Sequence, residues 1–264
     1  MYGIDDDLDI VQTQYTIEEL RQDLDNVVRY FQSMPYHDHA MKLFMEDYRG
    51  FPREVIDACD CFCVDEELNV SDLPEWMTSP SLGVVSKGYL TMAGRCVFPL
   101  KDVYNNTMGF VGWDPTTTPK YLDSKNYGYK AKTTTFYGME KLYEYYNSNK
   151  PVFLTEGLMC CLYLRWKGYQ ALASLGSWLS SYQIQILKRF KDRLCAIPDN
   201  DETGDRYCRQ IKTRLPLARV YQVRYGKDVD GCRKEDDHKY EEELLKDLQS
   251  CSNPFYKTNI LIRR

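Results

Sequence analysis

At 264 residues, 43% of them hydrophobic and 28% charged, the chain has the composition of a globular protein of one large or two small domains. Its amino terminus is acidic and no apolar run approaches the ~18 residues of a membrane span, which argues against a signal peptide or transmembrane helix and for a cytoplasmic, membrane-free protein. The net charge of −5 seems to oppose nucleic-acid binding, yet residues 1–32 hold eight acids and two bases while residues 80–132 hold seven Lys or Arg against three Asp. A local basic face of that kind binds phosphate on an acidic protein.

In chain order, residues 1–35 read as an acidic helical segment, with Ile17, Leu20, Leu24 and Val28 at helical spacing, a packing or docking element that Pro35 ends. Residues 36–146 read as a mixed α/β subdomain: short helices at 39–48 and 52–58, strands after Lys87, and a connecting helix at 137–146. His37 and His39 lie too far from any Cys or carboxylate pattern to suggest a metal and fit a helix start. Cys59, Cys61 and Cys63 alternate and would share one face of a strand, but a fourth ligand is not apparent nearby and the ten cysteines include no Cys-x-x-Cys pair. Buried thiols are the expectation, and no zinc site is. Most of the 22 tyrosines should pack; Tyr121, Tyr127 and Tyr129, among lysines, are the ones placed to stack on bases.

Residues 147–250 alternate strand and helix. An apolar strand at 151–155 runs into Glu156-Gly157 and a helix at 158–166; a strand at 169–175 ends at Gly176 and precedes a helix at 181–190. A strand at 194–198 runs into Asp199-Asn200-Asp201-Glu202-Thr203-Gly204-Asp205 and a helix; a strand at 219–225 is broken by residues 226–231, which contain Asp228 and Asp230, before a charged helix to about 249. This order predicts a parallel sheet flanked by helices, which places ligands at the carboxyl ends of its strands. Two carboxylates one residue apart at such an end can turn towards one hard cation. Without a cation they repel, by about 4 kcal/mol for charges ~4 Å apart at an effective dielectric of about 20. An EF-hand reading of Asp199, Asp201, Thr203 and Gly204 fails because position 12 is Gln210 rather than Glu and the entering residues read as a strand.

In order and spacing, Thr155-Glu156-Gly157, the run 171–176, Asp199-x-Asp201-x-x-Gly204 and Lys227-Asp228-x-Asp230 resemble the TOPRIM domain shared by DnaG-like primases, topoisomerases and some nucleases. Upstream, Gly94-Arg95-Cys96-Val97-Phe98-Pro99-Leu100, Gly109-Phe110-Val111-Gly112, Pro119-Lys120-Tyr121-Leu122 and Lys132 followed by Phe136-Tyr137-Gly138 resemble the amino-terminal part of the primase core. The resemblance covers residues 36–248 and implies an α/β fold: a TOPRIM domain, Rossmann-like, at 147–250, a primase subdomain at 36–146 and a short tail from 251.

The resemblance further implies a nucleotidyltransferase that copies single-stranded DNA into short RNA primers from nucleoside triphosphates with Mg2+ or Mn2+, two or more ions. On it, Glu156, Asp199, Asp201, Asp228 and Asp230 are the metal-binding acids, Glu156, Asp199 and Asp201 catalytic among them, while Arg95, Lys120, Lys132 and Lys227 face template or nucleotide. Phosphoryl transfer suits such equipment, because it asks of a protein mainly positioning and charge stabilisation. The chain departs from the family at Cys160, where an Asp is usual, and at Trp113, where Arg is common. Lacking room for a zinc-binding or a helicase-binding domain, it resembles a bare, phage-type core, for which a replicative helicase and a zinc-binding domain acting in trans become candidate partners. A TOPRIM nuclease and a catalytically silent binding module are the alternative readings. The cleft is expected between the basic subdomain and the acidic strand ends.

Overall fold

The computed structural model describes residues 16–124, 131–234 and 240–251; Tyr127, Tyr129 and the tail beyond 251 lie outside the described residues. Its contacts divide the chain into two units. The first comprises Met1–Tyr48, Cys59–Pro99 and Thr107–Ala131, the second Arg49–Ala58, Leu100–Asn106 and Lys132–Arg264.

In the first unit, helix α1 (Ile17–Gln32) starts at a capping box: the Thr16 hydroxyl accepts the Glu19 N–H at 3.2 Å and the Glu19 carboxylate accepts that of Thr16 at 2.8 Å. Its buried stripe is Leu24, Val27, Val28 and Phe31, whereas Ile17, the first residue of the expected stripe, is 64% exposed. Phe31 stacks on Phe62 at 5.2 Å and so anchors the carboxyl end of the helix. Pro35 ends one helix and opens the next, α2 (Pro35–Met41), where its missing N–H costs nothing; a π-helical turn, Lys42–Asp47, follows. The helix expected at 39–48 therefore begins four residues earlier.

Strands β1 (Phe62–Cys63), β4 (Cys96–Lys101), β5 (Thr107–Trp113) and β6 (Tyr121–Asp123) form one sheet in the order β1-β4-β5-β6, and a small hairpin pairs β2 (Val85–Ser86) with β3 (Tyr89–Leu90). Every residue of β5 is buried, which is why Trp113 is apolar: its ring packs against Phe44 and Tyr48. Cys61, Cys63 and Cys96 are buried free thiols, with Cys61 Sγ 3.5 Å from both Cys59 Sγ and Met41 Sδ. Of the alternating cysteines only Cys63 falls in a strand.

The second unit holds α3 (Arg53–Asp57), α4 (Ala131–Thr134), α5 (Leu142–Asn147) and a parallel sheet of β7 (Val152–Thr155), β8 (Gln170–Ala173), β9 (Leu194–Ile197) and β10 (Arg219–Val220), in the order β10-β9-β7-β8. Strands β7, β8 and β9 are almost wholly buried, the pattern of a parallel sheet covered on both faces. Helices α7 (Ser181–Lys188) and α8 (Glu202–Arg214) contribute Ile184, Leu187, Tyr207 and Ile211 to one core, with Val152, Leu154, Leu172 and Ala196 from the strands. Helix α6 (Leu158–Trp166) packs against β7, β8 and α9 (Val229–Lys234), which in turn meets α10 (Glu241–Cys251).

Two expected elements are shorter than the sequence suggests. The strand at 219–225 keeps only two paired residues, because the chain then leaves the sheet and is tied down by a side chain from another loop. The final charged helix is two helices, α9 and α10, with residues 235–239 outside the described set.

Candidate active site

Strand β7 is followed by β8 on one side, while β9, its neighbour on the other side, is followed by β10 in the opposite direction. The crevice at the carboxyl ends of β7 and β9 is thus the topological switch point, where open α/β sheets bind ligands. Glu156 directly follows β7 and Asp199 follows β9 by two residues. They meet across the crevice, Glu156 Oε1 accepting the Asp199 N–H at 3.1 Å.

The loop after β9 is held by its own atoms. Asp201 caps α8, its Oδ1 accepting the Gly204 N–H at 2.9 Å. Gly204 is required by close approach: a Cβ there would lie 1.9 Å from the carbonyl oxygen of Asp199. Asn200, between the two acids, donates from Nδ2 to the carbonyls of Val223 and Gly226 at 3.0 and 2.8 Å, and its N–H donates to Lys227 O at 2.6 Å. These bonds draw residues 223–227 out of the sheet and up to the acids. Lys227 Nζ then lies 3.1 Å from Asp201 Oδ2 and 3.7 Å from Asp199 Oδ2. Asp228 caps α9, accepting the Gly231 N–H at 2.7 Å.

The electrostatics follow from this crowding. Burial first, then the charges of Glu156 and Asp228, push the Asp199 carboxyl up to about 7, with Lys227 opposing. Burial also raises Glu156. Asp201 moves the other way, held below the usual carboxylate range by the Gly204 N–H and by Lys227. Cys160, one turn beyond Glu156 on α6, is buried, and its thiol is pushed well up by burial and by Asp228 and Asp230, so it stays neutral. Tyr207 on α8 is fully buried near Glu156 and Asp199, its phenol raised by burial.

Asp230 differs from the other acids in its partners. It is buried between two guanidiniums, accepting from Arg49 and, at 2.7 Å, from Arg233, which also donates to Arg49 O at 2.7 Å and lies over the rings of Phe51 and Tyr163. The basic residues divide as well. Arg95, buried in the first unit, donates to Lys120 O, Thr117 Oγ1 and Pro119 O at 3.1, 2.9 and 3.2 Å and so shapes the loop that carries the exposed Lys120. It crosses Gly112, where a Cβ would lie 2.9 Å from Arg95 Cδ. Lys132, in the second unit, has its Cε 3.5 Å and its Nζ 3.9 Å from the point a Cβ on Gly176 would occupy, just past the end of β8.

Glu156, Asp199, Asp201 and Asp228 are an oxygen-only donor set of the kind hard divalent cations take. The repulsion and burial that hold Asp199 near neutrality are what a cation would relieve, so these residues fit a hard divalent cation. As the side chains stand, no three Cys, His, Asp or Glu groups among the described residues are spaced as a closed metal cage, and the Lys227 ammonium faces Asp199 and Asp201 instead. Asn200, Arg49 and Arg233 were not expected from the sequence. The one available signal was an amide between two acids, which has no reason to be unionised unless it serves the backbone.

Residues 153–232 match the family model described as Toprim-like. In sequence the chain is similar to the DNA primases of Haemophilus influenzae (26% identity over 219 residues, 78% of this chain and 36% of the relative) and Aquifex aeolicus (28% over 198 residues, 71% and 38%). It spans little more than a third of the length of either. Among solved structures, the DnaG catalytic core superposes with a TM-score of 0.71 at 24% identity, covering 87% of this chain and 79% of that one. The zinc-binding and RNA polymerase domains of Aquifex aeolicus primase superpose with 0.72 at 21% identity, covering 89% and 62%. The fold is therefore that of a Toprim-containing α/β core. More particularly, the architecture is that of a DnaG-like primase catalytic core.

Proposed function

We propose that this chain is the polymerising core of a DNA primase, joining nucleoside triphosphates into short RNA primers on a single-stranded DNA template. The observation that carries the reading is the meeting of Glu156 and Asp199 at the switch point, with Asp201, Asp228 and Lys227 gathered beside them. The similarity to bacterial DNA primases supports it over a nuclease or a silent binding module. Another relative, a DnaG catalytic domain bound to single-stranded DNA, has the same fold (TM-score 0.71, 23% identity).

On this reading Glu156, Asp199, Asp201 and Asp228 hold divalent ions, two or more of them Mg2+ or Mn2+, which when bound neutralise phosphate charge and polarise the phosphorus centre. Asp201, kept ionised by its cap, is a permanent anion. Asp199, whose carboxyl is pushed up to about 7, would have to be deprotonated to hold a cation. Lys227 balances both acids, and its ammonium would be freed to pair with a nucleotide phosphate when a cation takes over that balance. Asp230 acts through Arg49 and Arg233, fixing α9 and so Asp228. Lys120 and Lys132 present cations to template or nucleotide, Arg95 setting the loop of the former. A replicative helicase and a zinc-binding domain are the partners we assign. Among the described residues no helix is long and apolar enough to cross a membrane.

The test is primer synthesis from labelled nucleotides on single-stranded DNA by Glu156→Gln, Asp199→Asn and Asp201→Asn, with folding checked by circular dichroism. Each should lose about 10²-fold or more in rate, as expected for groups that stabilise developing charge. Wild-type rates from all three folded variants would refute the assignment.

A further inference from the structure

The loop from Ser174 to Ser180, at the carboxyl end of β8 and so on the catalytic edge of the sheet, is pinned on both sides of one exposed indole. Before it, the Ser174 N–H donates to Thr155 O at 2.9 Å and its hydroxyl to Gly176 O at 2.7 Å. After it, the buried Leu179 donates its N–H to Gln210 Oε1 at 2.9 Å, while its carbonyl accepts from Arg214 Nη1 at 2.8 Å. Ser180 caps α7 and donates its hydroxyl to Thr133 O at 2.6 Å. Between these anchors Trp178 is 76% exposed, and Tyr182, in the first turn of α7, is 53% exposed. The Lys132 side chain lies over Gly176, two residues from the indole.

An indole leaves a large apolar face in water here although Leu179 beside it is fully buried, so the loop sends one neighbour in and the other out. An exposed aromatic beside a cation is the equipment of single-strand binding: bases stack on the ring irrespective of sequence, and the cation takes the phosphate. Because the flanking backbone is already fixed, stacking costs little further ordering. We propose that Trp178 is a stacking platform for an unpaired nucleobase, with Lys132 taking the adjacent phosphate. The base comes from the template strand or from the incoming nucleoside triphosphate. This rests on the primase reading for which strand is present, but its chemistry is binding and is measured without catalysis.

The experiment titrates wild type, Trp178→Phe and Trp178→Ala with labelled oligo(dT) and, separately, with ATP, following anisotropy or competition and intrinsic tryptophan emission. Wild-type emission should be quenched on binding; Trp178→Phe should lose that quench yet keep most of the affinity, and Trp178→Ala should lose both, with affinity down about tenfold. Loss confined to the oligonucleotide assigns the base to the template, and loss confined to ATP assigns it to the nucleotide. Unchanged affinity for both ligands in folded Trp178→Ala overturns the proposal, while primer synthesis by wild type would leave the primase reading standing. Conversely, a wild type that makes no primers but binds through Trp178 removes that reading and keeps the platform.

Discussion

Replacing Asp199 by Asn should stabilise the metal-free protein while abolishing its activity. Burial and the neighbouring carboxylates carry the Asp199 carboxyl from 3.8 up to about 7. The native state therefore holds a proton that the unfolded chain has already released between these values, and stability falls as pH rises from about 4 to about 7. A displacement of that size is a penalty of about 4 kcal/mol carried in full above pH 7. Asn cannot ionise and escapes it; allowing for adjustment of Glu156 and Lys227, a gain of about 2 kcal/mol at pH 8 is expected, shrinking to nothing near pH 4. Urea denaturation in a chelating buffer across this range measures it. Adding magnesium should then stabilise wild type at pH 8 by mass action, and Asp199→Asn much less. Parallel stability curves for the two proteins, with no divergence as pH rises, would refute the electrostatic account of the site.

Asn200→Ala removes both amide bonds that hold residues 223–227 beside the acids; it should cost about 1–3 kcal/mol and lower primer synthesis, with hydrogen exchange rising first in that segment, whereas unaltered exchange there would sink the tie. Cys160→Asp puts a carboxylate into a buried position facing Asp228 and Asp230. It should lower stability by about 2–4 kcal/mol at pH 8 and less at pH 5 where the acid is protonated, as thermal melts at the two values will show. Magnesium should recover part of the loss if the new acid reaches the ions.

Much of the second unit was legible in the sequence because a parallel sheet writes itself locally. Buried strands are short apolar runs, the acids sit where those runs stop, and spacing alone put Glu156 and the Asp199–Asp201 loop just past strand ends, whereas Asp228 lies eight residues beyond the short β10. The start of α1 was less clear: helical spacing included Ile17, but the stripe that burial selects is set by Phe31 stacking on Phe62, thirty-one residues away. Likewise the alternation after Arg219 promised a strand, and what ends it is not a local breaker but Asn200 capturing the carbonyls of Val223 and Gly226.

The surroundings of like residues were decided by tertiary structure alone. Asp228 and Asp230 repeat the spacing of Asp199 and Asp201, yet Asp230 is enclosed by Arg49 and Arg233, the former from a segment of chain far away in sequence. Arg95 and Lys120 both read as cations for phosphate, but the guanidinium of Arg95 is occupied by loop carbonyls and a hydroxyl, and only Lys120 is exposed. Sequence fixes which groups can ionise and roughly which strand end they occupy, since both depend on neighbours in the chain. Whether a charge meets solvent, another acid or a distant arginine depends on distances across the fold, and it is those distances that set Asp199 near neutrality while its neighbour Asp201 stays ionised.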